Sequence, residues 1–233
     1  MRIFNKGFNF KQDGPGNRLV YHLSGCNMRC IWCANPEGFL IDDGKEVSVK
    51  EIFDECVRSK AMFFSGGGVT FTGGEATIQH KELLLLLKAL KSENIHTALE
   101  TNGTDKNLQE LLEYVDYLMM DFKHYDKDML KKYTGGDIEV IKFNFETNCD
   151  KKRFQHIRIP LINGINTDNP RAFCQYFSAF DTSNTVFEFL PYHEFGKKKW
   201  ITEYKVNNGF IDENILKNFY DTFREFNLKI IRT

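Results

Sequence analysis

Cysteine is scarce in this chain, with six copies in 233 residues. Three of them, Cys56, Cys149 and Cys174, are scattered. That spacing gives no disulfide framework of the kind that staples small secreted domains, and the three are read as small buried hydrophobes. Long apolar runs are also lacking. A bilayer span needs about 20 apolar residues, and the leucine run at residues 83–87 is far shorter. The net charge is only −1, with both signs mixed along the chain apart from Lys197-Lys198-Lys199. This excludes a general field for nucleic acid or for a membrane surface. Residues 1–12 are polar and aromatic rather than basic and then apolar, so no secretory signal is read. A cytoplasmic protein is expected. Nucleotide loops are missing too: Gly66-Gly67-Gly68 lacks the dinucleotide spacing, and no Gly-Lys-Ser/Thr follows Gly73-Gly74.

Phenylalanine is abundant, at 22 copies, and 42% of the chain is apolar. That composition suits one globular domain with a sizeable core. Short apolar runs rich in β-branched and aromatic residues read as strands at 19–23, 69–72, 96–100, 115–122, 156–162, 185–190 and 228–231. Helical spacing is read at 48–60, 79–93, 107–114, 126–148 with a break near Gly135-Gly136, 170–180 and 211–226. Strand and helix alternate about six times, and near-continuous apolar strands indicate a parallel sheet covered on both faces. A full eightfold barrel usually needs ~250 residues, so an incomplete (β/α)6 barrel is expected, with a flat doubly wound sheet as the alternative. No repeat, low-complexity tract or linker divides the chain, so 1–233 is read as a single domain.

The polar residues of interest fall just after the expected strands. Gly73-Gly74-Glu75 follows 69–72, Glu100-Thr101-Asn102-Gly103 closes 96–100, and Asp121 and Lys123 close 115–122. Arg158 lies within 156–162, and His193 follows 185–190. In a parallel barrel these carboxyl ends share the ligand-binding face. Each piece alone also fits a bland role: a tight turn, a helix cap, a surface ion pair or a hydrogen-bonded loop histidine.

Cys26, Cys30 and Cys33 are different, because they are packed into one loop as C-x3-C-x2-C. Three thiolates can hold three irons of a four-iron cluster and leave the fourth iron open to a ligand. A zinc site completed by a histidine such as His22 is the other reading, although structural zinc more commonly uses paired C-x2-4-C knuckles.

These motifs resemble the radical S-adenosylmethionine superfamily, which has C-x3-C-x2-C with an aromatic, here Trp32, before the last cysteine. The chain is more closely similar to glycyl-radical-enzyme activating enzymes of the pyruvate formate-lyase activase type. That likeness rests on DGPGNR at 13–18, GGVTFTGGEAT at 67–77, Asp121-Phe122-Lys123, and LPYHEFG at 190–196 with Lys199-Trp200. The resemblance implies a partial barrel with its cofactor site at the carboxyl ends of the strands. It implies that Cys26, Cys30 and Cys33 ligate one 4Fe–4S cluster. S-adenosylmethionine would then be held by Gly73, Gly74, Glu75, Asp121, Lys123, Arg158 and His193, with Trp32 and Ala34 beside the adenine. Lys123 and His193 are the implied catalytic candidates. The implied reaction is reductive cleavage to a 5′-deoxyadenosyl radical, which takes hydrogen from a glycine of a partner glycyl-radical enzyme. Flavodoxin or ferredoxin would supply the electron. Asp13, Gly14, Tyr192 and Trp200 are the implied docking residues.

Two features depart from that pattern. Glu100 stands where the pyruvate formate-lyase type generally has Asp, which bears on the monovalent cation site implied at Glu100, Thr101 and Asp121. The segment WCANPEG at 32–38 is similar to activases of glycyl-radical dehydratases, decarboxylases and C–N lyases. Those usually carry a cysteine-rich ferredoxin insert, yet residues 39–68 contain only Cys56. An activase of another glycyl-radical enzyme, or a radical enzyme acting on a different peptide or small molecule, is the alternative within the superfamily.

Overall fold

A computed structural model describes residues 1–64 and 66–232. The strands are β1 (Arg2–Phe10), β2 (Asn17–Leu23), β3 (Lys45–Glu46), β4 (Gly68–Gly73), β5 (Thr97–Thr101), β6 (Tyr117–Asp121), β7 (Gln155–Leu161) and β8 (Thr185–Pro191). The helices are α1 (Val49–Arg58), α2 (His80–Ser92), α3 (Leu108–Leu112), α4 (Lys127–Thr134), α5 (Ile138–Asp150), α6 (Pro170–Phe177) and α7 (Glu213–Glu225). The strands form one eight-stranded, mostly parallel sheet in the order β3-β1-β2-β4-β5-β6-β7-β8, and it is not closed. The α/β alternation expected from the sequence is therefore present.

The chain divides into two compact units. The first comprises residues 1–28, 35–101 and 105–119; the second comprises 29–34, 102–104 and the residues from Met120 onward. In the first unit, β2 pairs parallel with β4, and β4 with β5. β1 was not anticipated, and it pairs antiparallel with β2. Its only buried residue is Ile3, so it shows no clean alternation of apolar and polar positions. α1 starts where the sequence gives it a capping box: Ser48 Oγ accepts from Glu51 N, and Glu51 Oε2 accepts from Ser48 N. Two otherwise orphaned backbone donors are thereby satisfied.

One buried cation organises the amino end of β2. Arg18 is fully buried and donates to Thr70 Oγ1 at 2.6 Å, to the Val69 carbonyl at 2.6 Å and to the Pro15 carbonyl at 3.0 Å. Burial lowers its pKa to about 10, so it keeps its charge at neutral pH. Arg18→Met leaves these acceptors buried without their donors. We expect it to cost about 3 kcal/mol, read by urea denaturation of the cluster-free protein.

In the second unit, β7 and β8 pair parallel with Arg158 opposite Glu188. Alternate residues Phe187 and Phe189 meet the helix layer. The Phe187 ring lies 4.7 Å from Phe177, and Phe189 lies 4.8 Å from Phe223. Much of the chain's phenylalanine is used in this aromatic layer, with Phe122, Phe145, Phe173 and Phe219 also buried in the unit. The helical stretch 126–148 breaks at Gly135, which is left-handed at φ 74°. Asp137 then caps α5. The strand expected at 228–231 is reduced to a single bridge between Phe187 and Ile230.

Burial lowers the pKa of His96, with the Arg18 charge adding to the effect, and burial also lowers that of His124. Folding therefore favours the neutral form of both. Their stabilisation is fully present above the unfolded value of about 6.5 and is lost as the pH falls through the lowered folded values. The melting temperature of the cluster-free protein should fall between about pH 7 and about pH 5, and His96→Gln should flatten that slope.

Candidate cofactor site

The site begins where β2 ends. In the first unit, Leu23 lies opposite Gly73 at the carboxyl ends of β2 and β4. The chain then turns through Gly25, at φ +95°, into Cys26. Four glycine backbones pack here, and three of them, Gly38, Gly73 and Gly74, have no room for a side chain. Gly25 N donates to Gly38 O at 2.9 Å, Gly74 N to Leu23 O at 2.9 Å, and Glu75 N to Gly25 O at 2.8 Å. A Cβ on Gly74 would stand 2.3 Å from Gly38 O and 2.5 Å from Gly25 O. Gly73 sits at φ +129°, where a side chain would also be strained. The Gly-Gly pair is therefore required by close backbone approach to the start of the cysteine loop. The Pro36–Gly38 turn of the WCANPEG segment is the third party to that contact.

Glu75 is almost fully buried, at 2% exposure, and its Oε1 accepts from Thr77 N, Thr77 Oγ1 and Thr101 Oγ1. It ties the Gly-Gly turn to the end of β5. Glu100 Oε2 accepts from Thr72 Oγ1, which shows where the extra methylene of this glutamate reaches. The hydroxyl of Thr101 and one oxygen of Glu100 are thus engaged by protein groups.

The second unit carries the rest of the cysteine loop. Arg29 N and Ile31 N donate to the carbonyls of Thr134 and Tyr133 at the end of α4, and Cys33 N closes a turn onto Cys30 O at 3.1 Å. These bonds fix the loop's backbone between its second and third cysteines. Ile31 and Trp32 pack against Ile162, Tyr192 and Val206. At the end of β6, Lys123 Nζ lies 2.5 Å from Asp121 Oδ2, with Lys123 buried and its carbonyl held by Asn166 Nδ2. Arg158 Nε is 3.9 Å from Glu188 Oε2, and His156 Nε2 is 3.1 Å from the same oxygen. Glu188 and His156 were missed in the sequence. The available signal was slight: His156 and Arg158 two positions apart in β7, and the lone charge of Glu188 in the otherwise apolar β8. His193 is exposed, and its ring stacks on Phe195 at 4.3 Å.

Two docking expectations find different surroundings. Asp13 and Gly14 sit at the amino end of β2, the end away from the cysteine loop, and the Asp13 carbonyl accepts from Thr70 Oγ1. Tyr192 is buried, at 8% exposure, and its hydroxyl meets that of Tyr204 at 2.9 Å. Trp200 is half-buried and donates its indole N–H to the Cys33 carbonyl at 3.0 Å. The exposed apolar groups on this loop are instead Phe195 and Ile201.

The residues fit an iron–sulfur cluster. All six cysteines are free thiols, and Met28 N donates to Cys26 Sγ at 3.4 Å. Among the described residues, no three His, Cys, Asp or Glu side chains converge to hold a single metal ion. A cluster does not ask for that convergence, because each thiolate binds a different iron. The scattered thiols behave otherwise: burial raises the pKa of Cys56 to about 12, Cys149 to about 11 and Cys174 to about 12. They are inert core groups at neutral pH.

A mostly parallel α/β sheet with three cysteines on the loop after its first parallel strand defines a class, and residues 20–177 match the family model of the radical SAM superfamily. Proteins of that superfamily use a 4Fe–4S cluster and S-adenosylmethionine. The pyruvate formate-lyase-activating enzyme of Clostridium pasteurianum is 36% identical over 194 residues, covering 81% of this chain and 80% of that protein. The pyruvate formate-lyase 1-activating enzyme of Escherichia coli K12 is 36% identical over 206 residues, covering 84% and 83%. A solved domain of the pyruvate formate-lyase-activating enzyme from Bacteroides vulgatus has a TM-score of 0.61 at 25% identity, covering 71% of this chain and 98% of that one. Streptococcus suis SuiB bound to S-adenosylmethionine shares the fold alone, with a TM-score of 0.66 at 15% identity over 91% of this chain and 49% of that one. The chain belongs to the radical SAM superfamily and, within it, to the family of pyruvate formate-lyase-activating enzymes. Among the described residues no helix is long and apolar enough to cross a membrane.

Proposed function

We propose that this enzyme activates a glycyl-radical enzyme of the pyruvate formate-lyase type, in the cytoplasm, as a single radical SAM domain without a ferredoxin insert. The observation that carries the reading is the glycine nest. Gly74 N bonds to the last residue of β2, Leu23, Glu75 N bonds to Gly25 at the start of the cysteine loop, and the Gly74 backbone lies against Gly25, so the cofactor's methionine end would be held at a fixed distance from the cluster. Cys26, Cys30 and Cys33 would hold the cluster. When bound, the cluster and S-adenosylmethionine together supply the electron and the hydrogen-abstracting radical. The chain's own residues bind, orient and exclude water. The backbone at Gly73 and Gly74 would accept the amino group. Lys123 and Arg158 would meet the carboxylate and ribose, and their partners Asp121 and Glu188 would set the direction of each side chain. Trp32 and Ala34 would flank the adenine, and His193, on an exposed loop, would close over the sulfonium side. Orientation matters because a primary radical attacks any neighbouring C–H, so the target glycine must arrive in near-attack geometry.

The partner would be pyruvate formate-lyase, and the electron donor a flavodoxin or ferredoxin. A second reading, activation of a glycyl-radical dehydratase, decarboxylase or C–N lyase, is favoured by one observation: Glu100 reaches Thr72 in place of the usual shorter aspartate. Glu100, Thr101 and Asp121 are the groups a monovalent cation would use under the first reading. Anaerobic reconstitution with iron and sulfide, followed by reductant and S-adenosylmethionine, tests the activity. Release of 5′-deoxyadenosine is expected. A protein that holds a full cluster and releases none would sink the reading.

A further inference from the structure

The loop after β8 is fastened to the cysteine loop at two points. Trp200 Nε1 donates to the Cys33 carbonyl at 3.0 Å, across 167 positions of sequence. Four residues earlier, the backbone of Gly196 lies on that of Cys33 and Ala34. A Cβ on Gly196 would come within 2.5 Å of Ala34 Cα and 2.6 Å of Cys33 O. Trp200 is braced in turn, with its ring edge-on to Tyr204 at 5.4 Å, and the Tyr204 hydroxyl meets that of buried Tyr192. Tyr192 packs with Ile162 and Val206, against which Trp32 also rests. A chain of contacts therefore runs from the core of the second unit through Tyr192, Tyr204 and Trp200 to the last cysteine.

We propose that Trp200 is a positioning residue for the cluster: its indole N–H holds the Cys33 carbonyl, and so fixes the backbone that aims the Cys33 sulfur. The inference deepens the functional reading and rests on it for the identity of the group held. The peptide after Cys33 is planar, so orienting its carbonyl fixes ψ of Cys33. With that torsion set, the backbone from which the Cys33 side chain leaves is fixed, and only the staggered χ1 rotamers remain for its sulfur. Outer groups that orient a metal ligand are typically worth 10- to 100-fold in metal retention. This role differs from docking, the first expectation for Trp200, because its polar edge faces the protein's own loop rather than a partner.

Trp200→Phe tests it by keeping an aromatic ring against Tyr204 and removing the donor. Tyr204→Phe is the control, since it removes the bond to Tyr192 and leaves the indole in place. Two readouts are taken. In the anaerobically reconstituted protein, cluster loss to a chelator should be about tenfold faster in Trp200→Phe than in wild type. The electron paramagnetic resonance line shape of the reduced cluster should also change. In the cluster-free protein, alkylation of Cys33 by iodoacetamide, read peptide by peptide, should be faster in Trp200→Phe than in wild type while that of Cys26 is unchanged. Tyr204→Phe, which keeps the ring against Trp200 and leaves the indole bond in place, should move both readouts much less than Trp200→Phe. Equal effects of the two variants, tracking a shared loss of melting temperature, would reduce Trp200 to a general packing residue and overturn the proposal. So would unchanged chelation, line shape and alkylation in Trp200→Phe. The cluster-free arm separates this claim from the functional one: if the wild-type enzyme released no 5′-deoxyadenosine, a selective rise at Cys33 would still establish the indole's hold.

Discussion

Cys30→Ala should contain no four-iron cluster after anaerobic reconstitution, and its release of 5′-deoxyadenosine should fall at least about a thousandfold. Cys30 is buried, at 8% exposure, and the turn that closes Cys33 N onto its carbonyl holds the two proposed ligands in one short segment. Removing its thiolate would leave two protein ligands for a cluster in which each cysteine thiolate binds a separate iron. Nothing nearby replaces it, because Cys56, Cys149 and Cys174 sit in the core with pKa values of about 11 to 12. Cys56→Ala is the matched control. It removes a thiol that touches Tyr21 OH in the core beside α1, and should cost about 1 kcal/mol of stability with the cluster intact. Iron and labile-sulfide analysis, alongside the product assay, reads both variants. A full cluster in Cys30→Ala would remove that residue from the ligand set.

The second large effect belongs to Gly74→Ala, a change of one methyl group. The new Cβ would stand 2.3 Å from Gly38 O and 2.5 Å from Gly25 O, and both neighbours are backbone. Neither can rotate away as a side chain would, so the Gly-Gly turn must move off the cysteine loop or the loop must move with it. Overpacking of this kind costs about 3 kcal/mol. In a chain of this size that lowers the melting temperature by roughly 6–12 °C. A displacement of about 1 Å between cofactor groups is worth about a hundredfold in rate. The expected result is therefore a folded, less stable protein that still binds iron and releases 5′-deoxyadenosine about a hundredfold more slowly. Calorimetry and the product assay read the two effects separately. An unchanged rate at an unchanged melting temperature would show that the turn has room to spare.

The parallel part of the fold was legible because its strands are short apolar runs and its helices carry periodic apolar faces. The break read near Gly135-Gly136 is a boundary that the structure respects. β1 was not legible, since one buried residue in nine gives no period to read. β3, only two residues long, carries no pattern at all. The 228–231 segment has strand composition, yet it makes only a single bridge to β8, through Ile230.

The site divides along the same line. The cysteine trio, Gly73-Gly74-Glu75, Asp121 and Lys123 were visible because unusual residue types stand at strand ends. What those residues touch was not visible. Glu75 reads as a ligand-facing acid, yet one of its oxygens is taken up by Thr77 and Thr101. Glu188 lies hidden inside an apolar run, and only its register opposite Arg158 reveals it. Gly38 and Gly196 look like ordinary loop glycines until their backbones are found against Gly74 and Cys33. Such contacts join distant parts of the chain, and no local pattern encodes them.

The central claim is that this chain places a radical on a glycine of another protein. The most direct measurement is electron paramagnetic resonance of pyruvate formate-lyase incubated anaerobically with the reconstituted enzyme, reductant and S-adenosylmethionine. A glycyl-radical signal should grow in step with 5′-deoxyadenosine and be absent with Cys30→Ala. Cofactor cleavage with no radical on pyruvate formate-lyase, nor on any other glycyl-radical enzyme supplied, would contradict it.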